Sequence, residues 1–228
     1  MTVRSGPGET PGVTAVVPVR DGVSGKSRLA HALDRSARRR VVTALARHVV
    51  GTLLASDGIG RVVVVTADVA FAREVLAELP DGPETLAQPA GLRGLNPALD
   101  LAREQALEVA PASARLLVAH ADLPALTTDD VAAVLAAGES SDVVVATDRH
   151  DAGTNLLLIP LQDAPGFRFR FGPGSRAAHV AEAERHGLRA VVVRRPGTAA
   201  DLDTIDDWAD LPPGVRARVR AAVGPALP

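Results

Sequence analysis

The chain has 228 residues, of which 46% are hydrophobic, and this is enough to build the core of one α/β domain. Its 25 basic and 27 acidic residues are mixed along the chain, the formal net charge is −2, and aromatic residues make up only 2%. This composition provides neither the basic surface nor the stacking rings of a nucleic-acid-binding protein, and the absence of cysteine excludes disulfides, thiolate zinc sites and cysteine nucleophiles.

Strand and helix signals alternate along the chain after a polar N-terminal tail. Residues 1–12 are rich in Gly, Pro and Thr and have no apolar signal-peptide core, so we expect a disordered tail on a cytoplasmic protein. No stretch approaches the ~18 apolar residues that span a bilayer, and no membrane contact is expected. Apolar runs and helical spacing predict strands at residues 13–19, 61–66, 116–119, 142–147, 155–159, 166–171 and 189–193, and helices at residues 36–55, 69–79, 96–109, 129–137, 175–186 and 215–223.

This alternation predicts a single α/β domain over residues 13–228, with a largely parallel sheet covered on both faces by helices. Ligands of such sheets bind at the carboxyl ends of the strands. Asn96 followed by Pro97 is typical of an N-cap that opens a helix, and the helix at 215–223, which is flanked by prolines, is expected on the surface.

Three aspartates follow predicted strands. Asp122 comes after the apolar run 116–121, and Asp201 and Asp203 come after the strand at 189–193. Any one of them is compatible with an ordinary helix cap or turn. As a set, their carboxylates suit Mg²⁺, which proteins hold with one or two carboxylates and the phosphates of a substrate. The pattern predicts a nucleotide-handling enzyme.

A basic, glycine-containing loop follows the first strand. Gly25, Lys26 and Ser27 match the end of a phosphate-binding P-loop, but Arg20 stands where that motif needs its first glycine. Backbone at Gly25 can approach phosphates closely, and Lys26, Arg28 and Arg20 supply positive charge. A P-loop kinase or GTPase and a solvated basic turn are the alternatives for this segment.

The segment at residues 171–175 ends a predicted strand and opens a helix at Ser175. We expect free backbone N–H groups and the helix dipole to face this loop, which suits an anion. A plain Gly-Pro-Gly turn with Ser175 as the N-cap is equally compatible with these residues.

Seven segments in this order resemble the guanylyltransferases of coenzyme F420 biosynthesis, the phosphoenolpyruvate and 2-phospho-L-lactate guanylyltransferase family. They are VPVR (17–20), GKSRL (25–29), GLNPAL (94–99), DLPAL (122–126), GTNLL (153–157), FGPGS (171–175) and DLDT (201–204). The resemblance covers residues 13 to about 210 and implies a three-layer nucleotide-diphospho-sugar transferase-like fold with a mixed, mostly parallel sheet.

The resemblance also implies roles for individual residues, with Mg²⁺ as cofactor and GTP as co-substrate. The implied roles are metal binding by Asp122, Asp201 and Asp203, catalysis by Lys26, Arg28 and Asp122, nucleotide binding by Arg20, Gly25, Lys26 and Asn96, and acid-substrate binding by Thr154, Gly172 and Ser175. Three positions depart from the family pattern: Arg20 replaces a common Lys, Ser27 a usual Thr and Ala121 a usual Gly.

The implied reaction transfers GMP from GTP to phosphoenolpyruvate, with hand-off of a labile product to the next enzyme of the pathway. The alternative acceptors are 2-phospho-L-lactate and 3-phosphoglycerate, which share a phosphate and a carboxylate with phosphoenolpyruvate. A nucleotidyltransferase with another acceptor, such as a sugar phosphate or the molybdopterin cofactor, and a non-catalytic nucleotide-binding protein are the remaining alternatives. We favour phosphoenolpyruvate because the Ala-, Arg- and Val-rich composition is typical of a high-GC bacterium.

Overall fold

The structure is a computed structural model that describes residues 12–20, 29, 33–79, 82–109, 115–162 and 166–224. The strands in these ranges are β1 (Val13–Pro18), β2 (Ile59–Thr66), β3 (Glu84–Ala87), β4 (Arg115–Ala119), β5 (Val143–Thr147), β6 (Thr154–Pro160) and β7 (Ala190–Val193). The helices are α1 (Arg35–Leu54), α2 (Val69–Leu76), α3 (Leu95–Val109), α4 (Thr128–Ala137), α5 (Ser175–Arg185), α6 (Pro196–Ala199), α7 (Ile205–Asp210) and α8 (Pro213–Val223).

The strands form one seven-stranded sheet in the order β3-β2-β1-β4-β6-β5-β7. Only β6 among them runs against its neighbours, pairing antiparallel with β4 and β5, while the other pairs are parallel. Strands such as β5 and β6 are buried along their whole length, as expected for a sheet covered on both faces. The carboxyl ends of β1, β4 and β5 therefore meet the amino end of β6 at one edge of the sheet.

Helices cover both faces of the sheet and create two large apolar clusters. One cluster contains residues of α1, α2 and α4, and the other contains residues of α3 and α5 together with Phe167, Phe169 and Phe171. The predicted α/β class and the mixed, mostly parallel sheet are confirmed. The tail predicted at residues 1–12 lies outside the described residues except for Gly12.

The strand predicted at residues 166–171 is wrong. Phe167, Phe169 and Phe171 alternate into the core as expected, but this segment joins no strand ladder. Its backbone is held by side chains of α5 instead: the Arg168 N–H donates to Glu182 Oε1 (3.0 Å) and the Arg170 N–H to His179 Nε2 (2.9 Å). Side-chain acceptors thus replace the carbonyls of a neighbouring strand.

One further prediction needs correction. Helix α3 begins at Leu95, and Asn96 does not cap it, because its side chain bonds to the backbone of Phe171. Helix α8 lies on the surface as expected, with most of its residues exposed. Val219 and Val223 attach it to the domain, because they are buried in a third apolar cluster with residues of α1.

Candidate active site

A cavity of about 460 Å³ opens at the sheet edge where β1, β4 and β5 end and β6 begins. Arg20 follows β1, Asp122 follows β4, Asp148 follows β5, and Thr154 starts β6; all four residues line the cavity. The position agrees with the rule that open α/β sheets bind ligands at the carboxyl ends of their strands.

A larger groove of about 790 Å³ lies between α1, α2 and α8. Its walls carry exposed ion pairs, Arg39 with Glu74 and Arg47 with Glu78, so these charges are already paired with one another. Because the predicted site residues line the smaller cavity, that cavity is the candidate active site.

The three aspartates predicted to bind metal come together in this cavity. Asp122, Asp201 and Asp203 all line it, and the Leu202 N–H donates to the carbonyl oxygen of Asp122 over 3.1 Å. Residues 201–203 are irregular rather than part of a strand. Leu202 is fully buried, so the half-buried aspartates on either side of it reach the cavity while Leu202 anchors the segment in the core.

The donor set of the cavity fits a hard divalent cation. Asp148 adds a fourth carboxylate, and Arg20 is the only arginine or lysine among the described lining residues. In the described ranges, no group of three or more His, Cys, Asp or Glu side chains is arranged closely enough to hold a metal ion. Mg²⁺ does not need a preassembled protein cage, because it is usually bound through one or two carboxylates plus substrate phosphates.

The three residues predicted to bind the acid substrate line the same cavity. Thr154 and Ser175 are buried, at 2% and 3% exposed, and the polar group of each side chain is a hydroxyl. Gly172 (φ 138°) and Gly174 (φ 71°) have the left-handed backbone that glycine favours, and this brings the chain from Phe171 into α5. Binding of the acid by these residues stays a prediction, and the structure adds that Thr154, Gly172 and Ser175 line one cavity.

The expected free N–H groups at the start of α5 are in part already used. The Ser175 N–H donates to the carbonyl of Gly172 and the Arg176 N–H to that of Ala152, each over 3.1 Å. Ser175 is also not the N-cap, since Gly174 occupies that position. The second bond ties α5 to the loop between β5 and β6, so these backbone groups join two walls of the cavity.

His179 connects Thr154 to the opposite wall. The ring is fully buried, its Nδ1 lies 3.0 Å from Thr154 Oγ1, and its Nε2 accepts the N–H of Arg170. Burial, followed by the nearby His120 and Arg170, lowers the pKa of His179 to about 4. The ring is therefore neutral at physiological pH.

We expect this histidine to make the protein less stable in acid. Because the pKa of His179 is about 4 in the folded chain and about 6.5 in the unfolded chain, the unfolded state binds the proton first as pH falls. The free energy of unfolding should drop between pH 6.5 and 4, with His179 contributing at most about 3 kcal/mol. Urea unfolding across this range should give a shallower pH dependence for His179→Gln than for wild type. An equal slope in both proteins would contradict the assignment.

The structure describes two of the residues predicted to bind the nucleotide, Arg20 and Asn96. Gly25, Lys26 and Arg28 lie outside the described residues, whereas Arg20 is exposed and lines the cavity. Asn96 braces the wall, with its Oδ1 accepting the Phe171 N–H (2.9 Å) and its Nδ2 donating to the Phe171 carbonyl (3.1 Å). Its neighbour Leu95 reaches the cavity.

Sequence alone assigns no binding role to His120 and Asn155, although both line the cavity. The His120 ring lies 5.1 Å from that of Phe171. Asn155 donates to the Thr198 carbonyl (2.8 Å), and no pattern distinguishes it within its strand. Asp148 follows β5 as Asp122 follows β4, so it lies where the carboxyl-end rule expects a site residue.

Comparison with known proteins identifies the family of the chain. The family model described as "Guanylyl transferase CofC like" matches residues 13–212, which is most of the chain. The chain belongs to this family. Phosphoenolpyruvate guanylyltransferase of Rubrobacter xylanophilus is 40% identical over 217 residues, covering 92% of this chain and 99% of the relative. The enzyme of the same name from Sphaerobacter thermophilus is 39% identical over 198 residues, covering 86% and 91%.

Solved structures show the same fold at low identity. A protein from Desulfovibrio desulfuricans G20 assigned to the nucleotide-diphospho-sugar transferases aligns with a TM-score of 0.71 and 15% identity, covering 92% of this chain and 96% of that one. A 4-diphosphocytidyl-2C-methyl-D-erythritol synthase from Anaerococcus prevotii aligns with a TM-score of 0.61 and 9% identity, covering 93% and 100%. These structures share the fold of the chain, and its membership of the guanylyl transferase family makes it a nucleotidyltransferase. No helix in its described ranges has the length and apolar character needed to cross a membrane.

Proposed function

We propose that this protein transfers GMP from GTP to phosphoenolpyruvate, forming enolpyruvyl-diphospho-5′-guanosine and pyrophosphate in coenzyme F420 biosynthesis. The observation that carries the proposal is that one cavity contains both the three aspartates and the three residues expected to bind the acid. Two further findings support this acceptor over the other phosphorylated acids. The chain belongs to the guanylyl transferase family, and it matches relatives named phosphoenolpyruvate guanylyltransferase over nearly their whole length.

The charge of the cavity supports a role for Mg²⁺. The described lining residues include four aspartates and one arginine, so a triphosphate and a phosphorylated acid would meet net negative charge. Cations must offset this repulsion. Arg20 supplies one, Lys26 and Arg28 follow it in the sequence, and Asp122, Asp201 and Asp203 would hold Mg²⁺. Bound there, the ion would neutralise charge on the phosphates.

The reaction needs little acid–base chemistry from the protein. A phosphate oxygen of phosphoenolpyruvate attacks the α-phosphorus of GTP, a new P–O bond forms, and the bond to the β-phosphate breaks to release pyrophosphate. The attacking phosphate is already ionised at neutral pH, so no general base is required. Thr154, Gly172 and Ser175 would hold the acid on one wall, and the basic loop would hold the triphosphate, so catalysis comes from positioning and charge neutralisation.

The test is a substrate matrix. The protein is incubated with Mg²⁺, one of GTP, ATP or CTP, and one of phosphoenolpyruvate, 2-phospho-L-lactate or 3-phosphoglycerate, with detection of pyrophosphate and mass spectrometry of the product. We expect pyrophosphate only with GTP and phosphoenolpyruvate. Turnover with 2-phospho-L-lactate alone would transfer the proposal to that acid, and release of a nucleoside diphosphate with inorganic phosphate would indicate a hydrolase.

The product is a mixed diphosphate of an enol acid. Its cytoplasmic formation and its direct hand-off to the next enzyme of the pathway belong to the same proposal. Co-purification of the two enzymes only while product is being formed would support hand-off, and free release of all product into solution would contradict it.

A further inference from the structure

We infer that His179 is a positioning residue for the acid substrate: it fixes the Thr154 hydroxyl as a hydrogen-bond donor that faces the cavity. The inference rests on the proposed function, because it takes the phosphorylated acid as the ligand that this hydroxyl contacts. It adds to the site a residue that lies behind the cavity wall rather than in it.

The hydrogen bonds of His179 determine its tautomer. A backbone N–H can only donate, so the Arg170 N–H, 2.9 Å away, requires a lone pair on His179 Nε2. A neutral imidazole then carries its proton on Nδ1. That nitrogen lies 3.0 Å from Thr154 Oγ1 and donates to it. If the Thr154 hydroxyl donated to Nδ1 instead, both ring nitrogens would have to accept, and the imidazole would carry no proton.

This tautomer determines what Thr154 offers to a ligand. A hydroxyl group has one proton to donate and two lone pairs that accept. Since Thr154 Oγ1 accepts from His179, its own proton is available to an oxygen in the cavity that it lines. Phosphate and carboxylate oxygens of the acid are acceptors at neutral pH, and a donor aimed at them contributes a charge-assisted hydrogen bond.

His179 also sets the spacing between the walls that would hold the acid. It lies one helical turn after Ser175 on α5, and its Nε2 holds Arg170, two residues before Gly172. One buried ring thus links Thr154 on β6 with the two other predicted acid-binding residues. Its ring also packs against Phe171, with centroids 4.7 Å apart in an edge-to-face arrangement. Rigid supports of this kind keep binding groups in productive geometry.

Two substitutions separate the contacts of His179. Asn places its amide NH₂ near the position of Nδ1, so His179→Asn retains a donor to Thr154 but loses the acceptor for Arg170. Gln places its amide oxygen near Nε2, so His179→Gln retains the acceptor for Arg170 but loses the donor to Thr154. A merely structural histidine would not distinguish these variants by substrate.

The experiment measures KM for phosphoenolpyruvate and for GTP in wild type, both His179 variants, Thr154→Val and the Thr154→Val/His179→Gln double variant. We expect His179→Gln and Thr154→Val each to raise KM for the acid about tenfold, with KM for GTP unchanged. The double variant should resemble Thr154→Val alone, and His179→Asn should lie closer to wild type than His179→Gln. Multiplicative effects in the double variant, or equal losses in the Asn and Gln variants, would overturn the inference.

Nitrogen-15 NMR of the imidazole rings tests the same claim without substrate or variants. We expect the proton of His179 on Nδ1, and a proton on Nε2 at neutral pH would overturn the inference. A wild-type protein that makes no pyrophosphate from GTP and phosphoenolpyruvate would refute the proposed function instead, and the ring spectrum would still decide the tautomer.

Discussion

Replacing Asp122 with Asn should lower the turnover of pyrophosphate release by about two to three orders of magnitude. The substitution removes a negative charge from the cavity at the point where metal and phosphates are expected to meet. The fold should be retained, because the tie to the segment 201–203 uses the carbonyl oxygen of Asp122 and the N–H of Leu202, both of them backbone atoms. Steady-state kinetics with GTP, Mg²⁺ and phosphoenolpyruvate measures the loss, and thermal unfolding measures the fold.

Asp129→Asn is the matched control. Asp129 lies in the first turn of α4, is exposed, and does not line the cavity. The same loss of charge at this position should leave turnover close to that of wild type. Wild-type turnover in Asp122→Asn, or an equal loss in both variants, would remove Asp122 from the catalytic centre.

Replacing Gly197 with Ala should destabilise the protein by about 3 kcal/mol and lower its melting temperature by about 10 °C. A Cβ atom at this position would lie 2.7 Å from the carbonyl oxygen of Ala125 and closer still to the carboxylate of Asp130. The backbone carbonyl cannot swing aside, so α6 must shift. Thr198 on α6 accepts the side-chain amide of Asn155, and Asp201 follows shortly after, so turnover should fall together with stability.

Gly214→Ala tests whether the contact or the loss of glycine is responsible. Gly214 lies in α8, and a Cβ atom there would have no neighbour within 4 Å. Alanine favours a helix over glycine by about 1 kcal/mol, so this variant should be as stable as wild type or slightly more stable. Thermal and urea unfolding of the two variants provide the comparison. A stable Gly197→Ala protein would show that the close approach of α6 to residues 125–130 is not required.

The parts of the fold that sequence predicts well are those where one local signal dominates. Short apolar runs such as those of β1 and β5 are typical of buried strands. Asp68 caps α2, as expected for an aspartate directly before a helix. Strand β3 was missed because it is short and mostly exposed, so it has no apolar pattern. Helix α7 was missed although Thr204 and Asp207 form a capping box that the sequence displays.

The errors arise where a distant residue determines the local structure. The phenylalanines at 167–171 alternate as in a strand, yet His179 and Glu182 supply the acceptors that a neighbouring strand would provide. Asn96 resembles a helix cap, but its amide matches the backbone of Phe171, which is remote in sequence. Hydrogen bonds between residues so far apart in the sequence cannot be predicted from a local sequence pattern. The resemblance predicted residues that the structure brings to one cavity, among them Asp122, Thr154 and Ser175. The contact of His179 behind Thr154 could be found only from the coordinates.

The most direct test of the metal-site claim is anomalous diffraction from crystals of the protein soaked with Mn²⁺ and a non-hydrolysable GTP analogue. We predict an anomalous peak within bonding distance of the carboxylate of Asp122 and of at least one of Asp201 and Asp203, with an α-phosphate oxygen as a further ligand. An ordered Mn²⁺ and nucleotide bound away from these three aspartates would contradict the proposed site.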